Sequence, residues 1–275
     1  VLPHAPFEDS GRATPPRWRE RLRWLLLALT PSSLLLSVTN YVTTDIAAIP
    51  LLWVVPLALY LLTFTIVFAA RPIVPHQVVT RWLPLAVLVL MLLLLREQAD
   101  PLLLVLALHL LGFFWIALGC HGELAQSKPA PGHLTEFYFW LALGGALGGL
   151  CNTLLAPLFF SSYAEYPLMI AVAAALRPAS TAPAFARGDW LAPACLAGAT
   201  AALILLASRL YLHPTINMLF MYLVPLAACY LMQSRPLRHG LAVAAVLLTS
   251  QLDPGVHGRA SVRIRSFYGV HRVTE

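Results

Sequence analysis

The sequence predicts an all-α polytopic membrane protein: a bundle of about 8 transmembrane helices, within a range of 7 to 9, followed by a short β-type C-terminal segment. Three observations point there. Of 275 residues, 59% are hydrophobic and 11% charged, against roughly a quarter charged in a soluble domain, so the apolar excess is too large for one water-soluble core. Apolar runs of about 18 or more residues recur, each enough helix to cross a hydrocarbon layer roughly 30 Å thick. The arginines fall in short segments between these runs, the distribution described by the positive-inside rule.

Taken in order, residues 1–23 read as a basic polar linker, rich in proline and arginine and without a core of its own. The helical transmembrane domain is expected over 24–252. Its nine apolar runs are 24–42, 46–70, 78–95, 101–120, 134–160, 166–177, 190–208, 214–232 and 238–252. The basic R-W-R-E-R-L-R-W at 17–24 precedes the first run as in a signal peptide. The many later spans, and no small-residue cleavage site close behind, make it a first membrane helix instead. The run at 166–176 rises only about 16 Å as a helix and cannot cross alone. Prolines at 31, 50, 56, 84, 157, 193 and 225 predict kinked or broken helices whose freed carbonyls are satisfied by neighbours.

Arginines at 12, 17, 19, 21 and 23, and again at 259, 263, 265 and 272, pull both ends to the cytoplasmic side. Both ends inside requires an even number of crossings, and the short sixth run is the one expected not to span. After Leu252 the turn signal Asp253-Pro254-Gly255 leads into S-V-R-I-R-S-F-Y-G-V-H-R-V, whose near alternation reads as one or two strands. A lone hairpin is marginal in water, so 253–275 is expected to open a soluble domain. The chain begins with Val1, which fits a processed product or a piece of a longer protein.

The balance of 18 basic against 12 acidic residues, a net +6, fits a lipid bilayer as partner, and no nucleic-acid partner is expected because the basic residues lie between apolar runs. Cys120, Cys151, Cys195 and Cys229 are about thirty or more residues apart, a spacing that fits neither a zinc site nor a secreted disulfide framework. They are expected to be buried, inert thiols.

Four polar residues are candidates for a membrane-embedded site: Asp45, His133, Glu136 and Asn152. Asp45 stands in V-T-N-Y-V-T-T-D-I-A-A-I-P, between two apolar runs. Two readings stay open for it: a cap on the second helix, or a carboxylate below the interface facing a wet cavity. In H-L-T-E-F-Y-F-W-L-A-L-G-G-A-L-G-G-L-C-N, residues 133–152, Gly144 and Gly148, like Gly145 and Gly149, lie four apart. Each pair stacks on one face and permits close approach of another helix, and Asn152 continues the first face as an interhelical hydrogen-bonder or substrate contact. His121, Glu123, His133 and Glu136 lack the spacing that places two metal ligands on one helix face, so no metal is predicted. They read as interfacial polar residues, with proton or cation handling the competing reading. Trp24, Tyr41, Trp82, Tyr138, Trp190 and Tyr211 near run ends fit an interfacial aromatic belt.

Three stretches together carry a resemblance: T-P-S-S-L-L-L-S-V-T-N-Y-V-T-T-D-I-A-A-I-P-L-L-W-V-V-P-L-A-L-Y-L-L-T-F at 30–64, the 133–152 stretch, and R-S-F-Y-G-V-H-R-V at 265–273. They resemble the membrane region and the start of the synthase-like domain of bacterial fused major facilitator-like/spermidine synthase proteins. The resemblance implies upstream helices and a downstream aminopropyltransferase-like domain in the same polypeptide. It places the chain in the bacterial inner (plasma) membrane and implies a polyamine-type cation as substrate. It implies decarboxylated S-adenosylmethionine only for the missing domain: neither the Gly-rich loop nor the catalytic acidic residue of that family can be placed in this chain, so no catalytic residue is assigned. An independent transporter or permease component without an enzymatic domain is the alternative.

Overall fold

The computed structural model describes residues 15–46, 49–69, 73–96, 100–160, 162–178, 187–210, 219–252, 260–266 and 269–274. In lipid, each backbone amide must find its acceptor inside its own helix, and the apolar runs accordingly become helices. These are α1 (Trp18–Tyr41), α2 (Val54–Phe68), α3 (His76–Arg96), α4 (Leu102–Gln126), α5 (Leu134–Leu150), α6 (Ala156–Phe159), α7 (Glu165–Leu176), α8 (Gly188–Leu210), α9 (Val224–Leu231) and α10 (Pro236–Thr249). Single π turns extend α1 (Val42–Ile46), join α5 to α6 (Cys151–Leu155) and lead into α9 (Leu219–Leu223). After α10 the chain forms β1 (Ala260–Ser266) and β2 (Gly269–Thr274), an antiparallel pair with Arg263 opposite Arg272.

Five helical segments are long and apolar enough to cross a membrane: Trp18–Thr44, His76–Arg96, Leu102–Gln126, Pro131–Phe159 and Gly188–Ala207. Their outward faces are apolar too. Leu103, Leu111, Leu158, Leu205, Leu231 and Leu248 are all more than half exposed, an all-round greasiness that suits lipid contact.

The core runs through α1, α3, α4, α5, α7 and α10, with Leu27, Leu34, Val38, Leu90, Met91, Phe113, Ile116, Phe137, Ile170 and Val243 at 0–1% exposure. Helix α5 lies directly on α1. A Cβ on Gly144 would collide with the Leu25 carbonyl oxygen, and one on Gly148 would sit 2.5 Å from the Leu29 carbonyl oxygen. Across the same seam Ser32 Oγ donates to the Gly145 carbonyl at 2.8 Å. Among the described residues Gly145 and Gly149 have nothing within 4 Å of such a Cβ, so of the two glycine faces it is that of Gly144 and Gly148 that packs on α1.

Several boundaries differ from the sequence reading. Residues 18–23, expected in the linker, form the first turns of α1. Glu20 accepts the Arg17 backbone N–H at 2.7 Å, and Arg21 and Arg23 find carboxylates on neighbouring helices, which together make helix favourable for a charged stretch. Asp45 does not cap α2. Its backbone belongs to the π turn that extends α1, and α2 begins only at Val54. The threonines there bond backwards: Thr39 to the Leu35 carbonyl, Thr43 to Thr39 and Thr44 to Asn40. Leu51, between the two helices, sits at φ 62°, a left-handed conformation disfavoured for a leucine. Of the thiols, Cys120 and Cys229 are buried, Cys151 is half-buried and Cys195 is exposed.

The short helix α7 is not peripheral. Glu165, Tyr166, Ile170, Ala171, Ala173 and Ala174 are buried, and α10 approaches it so closely that a Cβ on Gly240 would lie 2.6 Å from the Ala171 carbonyl oxygen. Thr44 and Tyr163 bond at 2.7 Å, which places the start of α7 beside the end of α1.

Candidate functional site

The polar groups of the bundle gather at three levels. At the start of α1, Arg23 reaches Glu123 on α4 at 2.8 Å, and His76 at the head of α3 donates Nε2–H to the other oxygen of Glu123 at 2.5 Å. Close packing of His76 over Gly122 leaves no room for a Cβ there. Beside this triad Arg21 pairs with Glu136 at 2.5 Å, and His133 lies 4.0 Å from the same carboxylate. Replacing Glu123 with glutamine is expected to cost about 1–3 kcal/mol, because Arg23 and His76 lose a charge-assisted acceptor; reversible unfolding in mixed micelles measures it.

At mid-depth Asn152, 2% exposed, points back onto α1. Its Nδ2 lies 2.8 Å from the Ser33 carbonyl oxygen, from Ser33 Oγ and from Ser37 Oγ. His121, buried two residues before Glu123 on α4 and so near the first level, bonds Thr63 on α2 at 2.8 Å. The Thr63 hydroxyl already donates to the Tyr60 carbonyl at 2.6 Å, so His121 donates through Nδ1 and its Nε2 is a bare acceptor. Asn152→Ala is expected to destabilise the α1–α5 pair by about 1 kcal/mol, the scale of a membrane interhelical hydrogen bond. The same unfolding measurement reads it.

The third level lies at the far end of α1 and is the richest. Tyr166 and His109, both fully buried, share a hydrogen bond of 2.8 Å to His109 Nδ1. The Tyr41 ring packs 5.1 Å from His109 and 5.6 Å from Tyr166. Thr44 spends its proton on the Asn40 carbonyl, so Tyr163 donates to Thr44. Next to it Arg265 of β1 grips Glu165 at the first turn of α7 with both guanidinium arms, at 2.9 and 2.6 Å. Each side chain of that pair is 5% exposed. Arg265 also donates to the Ser162 carbonyl and lies 5.6 Å from the centre of the Tyr163 ring.

The structure does not bring the four expected site residues together. Glu136 and His133 stand at the start of α5, while Asn152 follows sixteen residues after Glu136, about 24 Å along the helix. The Asp45 side chain lies outside the described residues; its backbone is in the π turn beside Thr44. His121 and Glu123, read together with His133 and Glu136, take separate partners on α2 and on α1 and α3. Among the described residues no three His, Cys, Asp or Glu side chains gather to hold a metal ion.

Sequence reasoning missed His109, Tyr166 and the Glu165–Arg265 pair. His109 had a usable signal, a lone ionisable residue inside the apolar run 101–120. The ion pair had none, because its members are one hundred residues apart. Asp189 was missed too: at the start of α8 it is 5% exposed and held by Arg235 at 3.2 Å and Arg238 at 2.9 Å. Comparison with family models, with curated proteins and with solved structures finds no match to this chain.

Proposed function

We propose that the chain is a membrane module that seats a C-terminal strand pair on the end of a helical bundle, as the anchor of a spermidine-synthase-like fused protein. The observation that carries this reading is the Glu165–Arg265 pair. A bidentate carboxylate–guanidinium contact with both members 5% exposed fixes orientation as well as position. It ties β1 to the first turn of α7, a helix that is itself buried in the bundle. In the resembled family this segment leads into the aminopropyltransferase-like domain, so a rigid seat here would hold an enzyme at a set distance from the bilayer.

Movement of a cationic, polyamine-type substrate has less behind it. Glu123, Glu136, Glu165 and Asp189 each have an arginine partner, and a carboxylate so paired offers no spare counter-charge to a passing cation. Of Asp45 and Glu136, the two carboxylates expected to serve as counter-charges, Asp45 is the one left for that role. The independent transporter reading draws on the interrupted helices, the π turns that end α1 and part α5 from α6, since broken helices frame substrate sites in transporters.

Polyamine flux into proteoliposomes separates the two. The anchor reading expects no flux above empty vesicles for the wild type. Flux that Asp45→Asn abolishes would replace the anchor with a carrier.

A further inference from the structure

We infer that Arg177, Arg235 and Arg238 form a binding site for a phosphate-bearing anion at a membrane–water interface, the phosphate coming from a lipid headgroup or from solution. The site lies at the other end of α7 from Glu165, and the inference does not rest on the anchor reading.

The three arginines meet where the end of α7, the start of α8 and the head of α10 converge. Arg177, just after α7, donates to the Gln233 carbonyl, two positions before Arg235. Arg235 Nη1 lies 3.2 Å from both carboxylate oxygens of Asp189 on α8. Arg238 reaches Asp189 Oδ1 through Nε at 3.2 Å and through Nη2 at 2.9 Å. A Cβ on Gly188 would stand 3.1 Å from Arg238 Nη2, so α8 begins directly against this side chain.

Charge is the first argument for a ligand. Among the described residues Asp189 is the one carboxylate paired with these arginines, which leaves two positive charges in excess. A guanidinium carries five N–H donors in a planar fork that suits phosphate oxygens, and the bonds above occupy only some of them. The Arg235 and Arg238 side chains are 28% and 26% exposed, open enough to be reached and shielded enough to attract more strongly than a fully solvated charge.

Depth is the second. Gly188–Ala207 is a candidate span and Asp189 is its second residue, so the cluster stands where the span meets water. Trp190 and Leu191, next in sequence, are exposed, a rim of the kind found at headgroup level. Basic pockets between helices at that level hold anionic headgroups.

The head of α10 supplies the third. Its N-cap residue, Arg235, makes no side-chain cap bond, and a helix N-terminus favours an anion. His239, one turn into α10, is completely buried, and neither ring nitrogen has a hydrogen-bond partner among the described residues. The charge of Arg177 acts on that ring. A buried imidazole without a hydrogen bond is costly, and an anion oxygen drawn in as Arg177 turns toward it would accept from the His239 N–H.

The test is calorimetric titration of the full chain, purified in a non-ionic detergent, with short-chain phosphatidylglycerol, inorganic phosphate or short-chain phosphatidylcholine. Saturable binding of phosphatidylglycerol or of inorganic phosphate is expected. Arg177→Gln and Arg238→Gln should each weaken it about tenfold, the scale of a lost charge-assisted hydrogen bond. Arg19→Gln, which removes the same charge from an exposed position on α1, should change it by less than about twofold, since a solvated charge is screened. Lipid binding that excess inorganic phosphate leaves unchanged identifies a headgroup as the ligand; inorganic phosphate that binds alone and displaces the lipid identifies a soluble phosphate. Failure of both to bind overturns the inference. So does equal binding of phosphatidylcholine, or an equal loss in Arg19→Gln. Asp189→Asn covers the case in which the arginine variants do not fold. Removing the competing carboxylate is expected to tighten binding about fivefold, a gain that misfolding cannot produce, and unchanged or weaker binding there also overturns the inference.

Discussion

Arg265→Ala is expected to release the hairpin from the bundle. Removing one partner of a buried ion pair costs about 3–5 kcal/mol when the other stays buried. Glu165, 4% exposed, would be left as a buried carboxylate without the guanidinium that Arg265 supplies. Undocking the two strands lets water reach it, so the chain takes that route once undocking is the cheaper outcome. Limited proteolysis of the detergent-solubilised protein should then cut within 253–275 at least tenfold faster than in the wild type, while α1–α10 stay intact. Glu165→Arg combined with Arg265→Glu restores the opposite charges and should recover part of the protection. Full protection in Arg265→Ala would show that the pair does not hold the hairpin, and the anchor reading would lose its support.

The other large effect is expected at the α1–α5 seam. A leucine at position 148 has to enter the space occupied by the Leu29 carbonyl oxygen, the Ser32 Cβ and the Ser33 backbone nitrogen, which a bare Cβ would approach at 2.5, 3.0 and 3.0 Å. Backbone atoms cannot swing aside as a flexible side chain can. The helices must separate, taking the Ser32–Gly145 and Asn152–Ser33 hydrogen bonds with them. Overpacking costs about 1–3 kcal/mol in a well-packed core, and the two lost bonds add about 1 kcal/mol. Gly148→Leu is therefore expected to lower stability by about 2–4 kcal/mol in reversible unfolding in mixed micelles. Gly149→Leu, with open space around it, should stay within about 0.5 kcal/mol of the wild type. Equal losses at both positions would mean that helix propensity, not contact with α1, governs the seam.

Much of the fold was legible in the sequence. Nine apolar runs correspond in place to helices, because in hydrocarbon a helix is decided locally: the segment must satisfy its own amides whatever surrounds it. The positions of the ends were less legible. α1 starts six residues before its apolar run because Glu20, Glu123 and Glu136 compensate its arginines, and two of those three lie on other helices. The polar break before Pro50 looked like a cap on α2. It became the end of α1 because the threonine hydroxyls return to carbonyls four residues back, which only a helical path allows.

By itself, then, the sequence determined that this chain is a set of lipid-compatible helices with a basic start, small residues where helices can touch, and an alternating basic tail. Those properties follow from composition and from spacing within one segment. Tertiary structure alone decided which of two glycine faces meets α1, since Gly144 and Gly148 repeat with the same period as Gly145 and Gly149 and differ only in what stands opposite. It also decided that Glu165 and Arg265 meet, and hence on which end of the bundle the strands sit. The reason in both cases is that an attraction between groups a hundred residues apart depends on how the intervening helices pack, and no local pattern records that.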